Sequence, residues 1–597
     1  MFANLIRSSL RRNFIRYTST SNVALPFLYD LEPKCRSCGI RLQDKDKSKP
    51  GYYHLRSNEE KEQKKITPAN STFDKYLDKL SAEDRELLLD NTFTSAPPTR
   101  ITTHSGPSIH ELVKKAYEIK PDETAIECVR CRNAKLHADY DLSQKEFPIH
   151  DLNTIMPDIP SGSPVVYVFS GNDFPMGINP DIFKYRNPDE VYFIMTKADN
   201  LFQRNDAARK YTLTFLTDYF KLKYDVPAKN IYVTSAKEGW NSEDLLNFIP
   251  ESAYIVGNVN SGKSTLIKSL MLFQELETKQ DSESKLPFPI RIKEKKKFIE
   301  RFKQKVGPGI SYLPGFTREF LPVTLGGIRS VFDVPGFASD PYIHEFYHKF
   351  PDGKTIAKLT EGRKTYKFGT FKSKYDSVKG PQVISLGGIG YLQLPKDSMY
   401  QIRNVTNIDY HVFSNIEKAA QVSADLPEPM KNRFILTHDE ASLANLERYI
   451  IPPFYGSIEL VLENIGYIHI KPIGAKKTNE LMVLYLPCGI TGMIRQPIVE
   501  YIQKTFKDSW EKNLLNQNSR GKKQLILKRY SKATPFASIL IPTGAGEITK
   551  PRTEEYLNTR RMMDFDQVNA MTNARNAYND KTVINENNKY EYWIEPR

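Results

Sequence analysis

Residues 257-GNVNSGKST-265 fit the pattern G-x-x-x-x-G-K-[ST], which is typical of a loop that binds phosphate groups. Its glycines let backbone N–H groups approach phosphate oxygens, and an apolar strand before it and a helix after it give the required context. Lys263 would reach the β- and γ-phosphates of a nucleotide, and Ser264 would hold Mg²⁺. A glycine-rich turn with an incidental lysine explains the pattern poorly. The predicted phosphate-binding residues are Gly257, Asn260, Ser261, Gly262, Lys263, Ser264 and Thr265.

Two short motifs earlier in the chain could select the base of that nucleotide. In 196-TKAD-199, the Asp199 carboxylate can accept hydrogen bonds from the ring N–H and the amino group of guanine. Adenine lacks this pair of donors, so the motif favours guanine. Taken alone, TKAD is equally compatible with a strand-end lysine and an N-cap aspartate. In 235-SAK-237, the Ala236 backbone could meet the guanine carbonyl. The predicted base-binding residues are Thr196, Lys197, Asp199, Ser235, Ala236 and Lys237.

Two motifs after the phosphate loop could hold Mg²⁺ and the terminal phosphate. Asp333 in 333-DVPG-336 ends an apolar strand, where a carboxylate can hold Mg²⁺ through water, and the Gly336 N–H can meet the γ-phosphate. Thr317 in 313-LPGFTRE-319 could close on Mg²⁺ in the triphosphate state, although the stretch before it is also compatible with a mobile loop. We predict Lys263, Thr317 and Gly336 as catalytic residues, and Ser264, Thr317 and Asp333 as Mg²⁺ ligands.

The cysteines indicate a metal site rather than a disulfide framework. Four of the five stand in two Cys-x-x-Cys pairs, and four thiolates suffice for a closed tetrahedral Zn²⁺ site. The 89 residues between the pairs leave two unrelated reduced pairs as the alternative, and His137 could replace one thiolate. The predicted structural zinc ligands are Cys35, Cys38, Cys128 and Cys131.

Alternating strands and helices are expected to position the nucleotide motifs. Short apolar, β-branched runs are typical of buried parallel strands, and helical stretches at 205–222 and 263–274 lie between them. This alternation predicts an α/β fold with a three-layer parallel sheet. A further helix is predicted at 74–90. After about residue 340 the pattern becomes α+β or β-rich. The predicted strands of the first sheet are 164–170, 190–196, 230–235, 252–257 and 329–334, and later strands are predicted at 382–394, 457–473 and 481–487.

Composition and charge limit the classes of protein to which the chain can belong. The 597 residues are 40% hydrophobic, which excludes a wholly disordered chain. No run of about 18 apolar residues occurs, so no membrane span is expected. Residues 1–17 carry four arginines and no acid on an amphipathic pattern, which is typical of a mitochondrial transit peptide. Its removal would lower the net charge from +14 to +10. An ordinary basic arm is the alternative.

These patterns divide the chain into five segments. The expected parts are a transit peptide (1–20), a four-cysteine zinc module with a long insertion (21–150), a nucleotide domain (151–342), an α+β C-terminal domain (343–560) and a polar tail (561–597). Three basic clusters, at 291–305, 363–379 and 520–530, could contact RNA. A solvated charged surface is the alternative for the first two and the favoured interpretation for the cluster at 520–530.

The five nucleotide motifs together resemble those of small GTPases in a permuted order. The base motifs come first here, followed by the phosphate loop, Thr317 and DVPG. Circular permutation produces such an order: the original termini of the domain are joined, and the chain begins and ends at a new place. This is physically reasonable because the termini of a compact domain often lie close together. With a four-cysteine segment in front, the chain is similar to the circularly permuted GTPases of the bacterial YqeH type and their mitochondrial relatives in fungi. Matching pieces beyond the nucleotide motifs are 35-CRSCGIRLQ-43, 128-CVRCRNAKLH-137 and 386-LGGIG-390.

The resemblance implies a GTPase in the mitochondrial matrix that acts as a GTP-dependent switch in assembly of the small ribosomal subunit, with ribosomal RNA as partner. Asn260 matches the asparagine that binds K⁺ in cation-activated relatives, so K⁺ stimulation is expected. Two positions depart from the pattern. Thr196 replaces the usual Asn, although a hydroxyl can still support the loop. Phe337 stands where Ras-like proteins carry a water-orienting Gln, and an apolar residue cannot polarise water, so intrinsic hydrolysis should be slow.

Two other functions are compatible with the same motifs. One is a pseudo-GTPase that binds nucleotide as a structural part or serves as a scaffold associated peripherally with the inner membrane. The other is an ATPase or kinase with a phosphate loop, for which no substrate pocket is evident in the sequence.

Overall fold

The computed structural model describes most of the region between residues 33 and 540. The described residues are 33–54, 116–117, 126–136, 140–202, 204–284, 288–325, 329–338, 343–350, 353–362, 366–367, 370–371, 375–431, 433–436, 446–451, 457–473, 482–487, 489–505, 535 and 537–540. The predicted transit peptide, the helix at 74–90, His137, the polar tail and the basic cluster at 520–530 lie outside these residues.

A six-stranded sheet with the order β3-β2-β1-β4-β6-β5 forms the centre of the first half. Five strands are parallel, and β5 pairs with β6 in the antiparallel direction at one edge. The expected α/β class with a parallel sheet is therefore confirmed. The strands are β1 (Val165–Ser170), β2 (Val191–Thr196), β3 (Ile231–Val233), β4 (Ala253–Val256), β5 (Leu321–Leu325) and β6 (Arg329–Asp333).

Both faces of this sheet are buried, which explains the continuous apolar runs of its strands. All six residues of β1 are buried. Val165, Tyr167 and Phe169 pack into the core on one face, and Val166 and Val168 into the core on the other. Alternate side chains of a strand point to opposite faces, so a strand covered on both sides needs apolar residues at every position.

Helices cover the sheet and connect its strands. The helix predicted at 205–222 is interrupted, because a π-helical turn at Ala208–Thr212 separates the helices Asn205–Ala207 and Leu213–Tyr224. The helices are α1 (Val129–Leu136), α2 (Leu152–Ile155), α3 (Asn205–Ala207), α4 (Leu213–Tyr224), α5 (Ser242–Phe248), α6 (Lys263–Ser284), α7 (Phe288–Lys305), α8 (Ile343–His348), α9 (Gly353–Glu361), α10 (Ile416–Ala424), α11 (Glu428–Lys431) and α12 (Ile498–Thr505). Among the described residues, no helix combines the length and the apolar character needed to cross a membrane.

The second half contains two antiparallel sheets and a small two-stranded ribbon. Their orders are β13-β10-β11-β17-β14 and β19-β18-β15-β16-β12-β9. Leu392 and Leu484 of the first sheet share one hydrophobic core with Leu460 and Ile468 of the second. The strands are β7 (Tyr366–Lys367), β8 (Thr370–Phe371), β9 (Asp376–Lys379), β10 (Val383–Leu386), β11 (Gly390–Gln393), β12 (Met399–Asn404), β13 (Tyr410–Phe413), β14 (Glu447–Ile451), β15 (Ile458–Leu462), β16 (Gly466–Pro472), β17 (Met482–Leu486), β18 (Gly492–Arg495) and β19 (Ala537–Ile539).

Candidate nucleotide site and four-cysteine cluster

A cavity of ≈ 730 Å³ opens at the carboxyl ends of the parallel strands. The chain runs from β1 to β2 and β3 on one side and then crosses to β4 on the other. Such a change of direction leaves a crevice beyond the strand ends, where open α/β sheets bind ligands. Predicted residues from every nucleotide motif line this cavity: Thr196, Lys197, Asp199, Ser235, Ala236, Lys237, Asn260, Gly262, Lys263, Ser264, Thr265, Thr317 and Gly336.

The loop at 257–262 holds a conformation that requires glycine at its first position. Gly257 has φ 153°, and a Cβ there would lie 2.1 Å from the Val168 carbonyl oxygen of β1. At the other end of the loop, the Thr196 hydroxyl donates to the Ser261 carbonyl oxygen at 2.6 Å. Thr196 therefore supports the phosphate loop from the base motif, a contact that a hydroxyl can make without the amide group of an asparagine.

Lys263 lies at the first turn of α6 and is buried, with 7% of its surface exposed. Its amino group donates to the carbonyl oxygens of Gly257 at 2.8 Å and Asn258 at 3.0 Å. Burial lowers the pKa of Lys263 to about 8, while the nearby Asp333 carboxylate acts in the opposite direction. A bound anion would raise this pKa and so favour the charged form, and the positive end of α6 points to the same place.

Ser264 and Asp333 form the pair expected to hold Mg²⁺. The Ser264 hydroxyl donates to Asp333 Oδ2 at 2.6 Å, while Asp333 Oδ1 is buried without a hydrogen-bond partner. Burial raises the pKa of Asp333 to about 6, although the Ser264 hydrogen bond and the Lys263 charge both act to lower this pKa. A buried carboxylate oxygen left unpaired is costly, and a hard divalent cation would satisfy it. The residues present therefore fit a Mg²⁺ site.

The base motif lines another part of the same cavity. The Ser235 hydroxyl donates to Asp199 Oδ1 at 2.7 Å, which fixes the carboxylate at the end of β2. Lys197 has φ 57°, in the left-handed region, and its amino group donates to the Thr360 carbonyl oxygen at 2.9 Å. Burial lowers the pKa of Lys197, and Asp173 and Asp199 oppose this.

The end of α9 also lines this part of the cavity, and the sequence reasoning missed it. Lys237 pairs with Glu361 at 2.7 Å, and Thr360 and Gly362 complete the wall. Lys237 and Glu361 are more than 120 residues apart along the chain. Nothing in the local sequence around α9 resembles a nucleotide motif, so only the fold could have identified these residues.

The DVPG segment contacts the phosphate loop directly. The Val259 N–H donates to the Phe337 carbonyl oxygen at 2.9 Å, and a Cβ on Gly336 would lie 3.0 Å from Val259 Cα. Phe337 is fully buried, with its ring 5.9 Å from that of Tyr167. Its side chain therefore lies in the core and cannot orient a water molecule.

Asn260, the predicted K⁺ ligand, occupies the turn of the phosphate loop. It has φ 58°, which asparagine tolerates better than most residues. Its side chain lies beside the buried hydroxyl of Tyr347 in α8, and its amide nitrogen is buried. The residue lines the cavity, and its role towards K⁺ stays a prediction.

The four cysteines come together although 89 residues separate the two pairs. Cys35, Cys38, Cys128 and Cys131 are buried, and their Sγ atoms all lie within 4.8 Å of one another. A tetrahedral Zn²⁺ with Zn–S bonds of about 2.3 Å places its sulfurs about 3.8 Å apart, and the Cys38 and Cys128 sulfurs are 4.0 Å apart. The thiols of Cys128, Cys131 and Cys38 lower the pKa of Cys35. The donor set and spacing fit a structural zinc site, with Cys128 immediately before α1 and Cys131 in its first turn.

The first basic cluster, at 291–305, forms most of α7. Lys293, Lys296, Lys297 and Arg301 are exposed, whereas Phe298 and Phe302 are buried, so this amphipathic helix presents its charges to solvent. Of the cluster at 363–379, only parts lie among the described residues, including Tyr375, which is 43% exposed.

These features define a mixed α/β protein whose parallel sheet opens on a phosphate-loop cavity and whose N-terminal part carries a four-cysteine cluster. Sequence-family models described as the N-terminal and C-terminal domains of genetic interactor of prohibitins 3 match residues 34–147 and 373–591. The chain belongs to the genetic interactor of prohibitins 3 family.

Relatives with the same family name match this chain over almost its full length. Proteins called "Genetic interactor of prohibitins 3, mitochondrial" are 40% identical in Lodderomyces elongisporus, over 100% of both chains, and 39% in Candida albicans, over 99% of both. The relative of this name in Scheffersomyces stipitis is 36% identical over 99% of both chains. The expected mitochondrial location is therefore confirmed.

Proposed function

We propose that this protein is a mitochondrial GTP-binding switch of the circularly permuted type. The observation that carries the proposal is the single cavity that gathers the Asp199 motif, the Lys263 loop, Thr317 and Gly336. These motifs are far apart in sequence, and a chance set of patterns has no reason to converge on one crevice. The chemistry fits GTP with Mg²⁺: a carboxylate for the guanine donors, a buried lysine for the phosphates, and a Ser–Asp pair for the metal.

The order of the motifs supports the permuted type. The base motifs follow β2 and β3, and the phosphate loop follows β4, so the part of the cavity that would hold the base is made first along the chain. After Gly336 the chain continues into α8 and α9, and α9 returns to the base end of the same cavity. The terminal-phosphate segment is thus linked directly to the C-terminal half.

A role in assembly of the mitochondrial small ribosomal subunit, in the matrix and with ribosomal RNA as partner, is proposed from the resemblance of the motifs. The exposed lysines of α7 support it, since this basic helix lies between the phosphate loop and Thr317. A cationic surface beside a loop that changes with nucleotide could tie RNA affinity to the bound state.

The test is direct binding of fluorescent GTP and GDP to the full chain. Lys263→Ala should reduce GTP affinity by at least about tenfold, because the phosphates lose their buried cation. Lys229→Ala is the matched control, since Lys229 is exposed in the turn before β3. Unchanged GTP binding by Lys263→Ala would remove the nucleotide site, and a preference for ATP would favour the ATPase or kinase alternative.

A pseudo-GTPase is the second candidate, and the buried Phe337 favours it. Without a polar group at this position, hydrolysis depends on another activator, and K⁺ near Asn260 is the predicted one. The discriminating measurement is phosphate release over many turnovers in K⁺ and in Na⁺. Faster turnover in K⁺ supports the enzyme, equal rates contradict the K⁺ site, and no turnover in either salt supports the pseudo-GTPase.

A further inference from the structure

The loop that carries Thr317 lies directly on the four-cysteine cluster. The Arg318 and Glu319 N–H groups donate to the Cys38 carbonyl oxygen at 2.8 and 3.1 Å. On the other side of Thr317, the Gly309 N–H donates to the Ser37 carbonyl oxygen at 3.2 Å. The Cys35–Cys38 turn therefore accepts hydrogen bonds from both ends of the loop, and Thr317 lies between them.

Arg130 adds a second connection from the other cysteine pair. Its Nη2 donates to the Phe316 carbonyl oxygen at 2.7 Å and to Cys131 Sγ at 3.4 Å. The guanidinium also lies over the Phe147 ring at 4.5 Å and the Phe316 ring at 5.3 Å. One planar group thus touches both a predicted metal ligand and the residue immediately before Thr317.

Glycines in the loop allow this close approach. A Cβ on Gly309 would lie 3.0 Å from the Ser37 carbonyl oxygen, and one on Gly315 would lie 2.5 Å from that of Phe147. A Cβ on Gly39 would lie 2.7 Å from the Glu319 carbonyl oxygen. The loop and the cluster are therefore packed backbone to backbone, and neither can move far without the other.

We propose that the four-cysteine cluster is a metal-dependent clamp on the Thr317 loop, so that Zn²⁺ and a nucleoside triphosphate with Mg²⁺ stabilise each other's binding. This inference rests on the proposed function. Ligation of Cys35 and Cys38 fixes the turn whose carbonyl groups hold the loop, and the loop in turn presents Thr317 to the Mg²⁺ at the γ-phosphate. A diphosphate lacks the γ-phosphate, so it engages the loop less and couples less to the metal.

Reciprocity makes the proposal measurable without enzymatic activity. If zinc tightens triphosphate binding by some factor, the triphosphate tightens zinc binding by the same factor. The readout is the zinc affinity of the full chain, measured by equilibrium competition with a chromophoric chelator in excess Mg²⁺. We expect zinc to bind at least about fivefold more tightly with a non-hydrolysable GTP analogue than with GDP. This factor is at the low end of the coupling typically found between two binding sites.

The variant Arg130→Met tests the connection while keeping all four cysteines. Arg130 is a positioning residue, so the ratio of zinc affinities with the analogue and with GDP should fall towards one, while GDP affinity stays unchanged. Arg132→Met is the matched control on the same helix. Within the described part of the chain, the Arg132 side chain makes no hydrogen bond or ion pair. It should keep the full ratio.

The outcomes separate this inference from the proposed function. If the analogue and GDP both bind but zinc affinity is the same with each, the clamp is wrong and the GTP-binding proposal stands. If Arg130→Met keeps the full ratio of zinc affinities with the analogue and with GDP, Arg130 does not connect the cysteine cluster to the Thr317 loop. If no guanine nucleotide binds, both proposals are wrong.

Discussion

At the scale of single residues, two opposite charges, Lys263 and Asp333, are buried beside the predicted phosphate loop, and one carboxylate oxygen has no hydrogen-bond partner. Lys263 is held by backbone carbonyls, and Asp333 has one oxygen bonded to Ser264 and one without a partner. Such an arrangement costs stability in the free protein and is relieved when a ligand supplies the missing partners. Residues of this kind point to a binding site, because a purely structural ion pair would satisfy its own hydrogen bonds.

Asp333→Asn should stabilise the nucleotide-free protein while abolishing Mg²⁺-dependent GTP binding. A carboxyl whose pKa rises on folding contributes stability below its unfolded pKa, about 3.9, and loses it as pH rises through the folded value, here about 6. The gain from asparagine should therefore be largest near pH 7.5, roughly 1–3 kcal/mol, and shrink as pH falls below 6. Urea unfolding across this pH range measures it, and a gain that grows at low pH would contradict the assignment.

Asp199→Asn should change the base that the cavity accepts. An amide offers one acceptor and one donor, so it no longer matches the two donors of guanine but matches the N–H and carbonyl of xanthine. We expect GTP affinity to fall by at least about tenfold and xanthosine triphosphate to bind more tightly than in the parent. Competition against a fluorescent nucleotide tests this. Equal loss for both nucleotides would mean that Asp199 acts only by holding Ser235.

At the scale of elements, the strand ends determine which residues the site requires. The carbonyl of Val168 approaches Gly257 because β1 and β4 are paired neighbours in the sheet. The chain passes so close to that carbonyl oxygen as it leaves β4 that only a residue without a Cβ fits there. The sheet pairing alone therefore requires a glycine at this position.

Gly257→Ala and Gly162→Ala separate backbone strain from collision. Both glycines have positive φ, but a Cβ on Gly162 meets nothing within 4 Å, whereas on Gly257 it meets a carbonyl oxygen at 2.1 Å. Gly162→Ala should cost about 1 kcal/mol of unfolding free energy, and Gly257→Ala more than about 3 kcal/mol with loss of nucleotide binding. Thermal and urea unfolding provide the measurement. A similar loss of unfolding free energy in both variants would show that the backbone near β4 shifts to accommodate the Cβ.

The elements also show what could be predicted from sequence. The sequence predicts each strand of the parallel part within two residues, because burial on both faces leaves an unbroken apolar run. It does not predict the edge strand Leu321–Leu325, since the buried and exposed positions of this strand alternate and Pro322 interrupts the pattern. It also predicts no helix for the basic cluster at 291–305, because the charges there obscure the period set by Phe298 and Phe302.

Contacts between distant segments could not be predicted from local patterns. The nucleotide motifs carried their own chemistry and could be recognised in any order, as could the cysteine pairs. The ion pair between Lys237 and Glu361 joins residues more than 120 positions apart, and the hydrogen bond from the Arg318 N–H to the Cys38 carbonyl oxygen joins segments that are still farther apart. No residue type marks such positions, so only the fold identifies them.

At the scale of the whole molecule, the C-terminal half is joined to the nucleotide half through buried polar contacts. Arg495 of β18 is fully buried, and its Nη1 donates to the Phe174 carbonyl oxygen, beyond the end of β1, at 2.7 Å. The Tyr501 hydroxyl of α12 donates to Asp218 of α4 at 2.6 Å. Gly336 and the end of α9 both line the cavity, and along the chain they lie between the two halves. Under the proposed function, a γ-phosphate at Gly336 would therefore act close to the connection between the halves.

Arg495→Leu should destabilise the junction of the two halves strongly. Its Nε donates to Glu459 Oε2 at 2.6 Å, and burial raises the pKa of Glu459 against the pull of this cation. Removing the arginine leaves a buried carboxylate unpaired, at a cost of about 3–5 kcal/mol. The exposed Arg433→Leu should stay within about 0.5 kcal/mol of the parent.

The double variant Arg495→Leu/Glu459→Leu decides whether the charge or the contact to β1 matters more. If the unpaired carboxylate dominates, the double variant is more stable than Arg495→Leu alone, because no buried charge remains. If the hydrogen bond to the Phe174 carbonyl dominates, both variants lose the same stability, and the two halves unfold in separate transitions. Urea unfolding followed by fluorescence and by circular dichroism distinguishes these outcomes, since coincident curves indicate that the halves still unfold together. We expect the first outcome, because an unpaired carboxylate costs more than a lost neutral acceptor at equal burial.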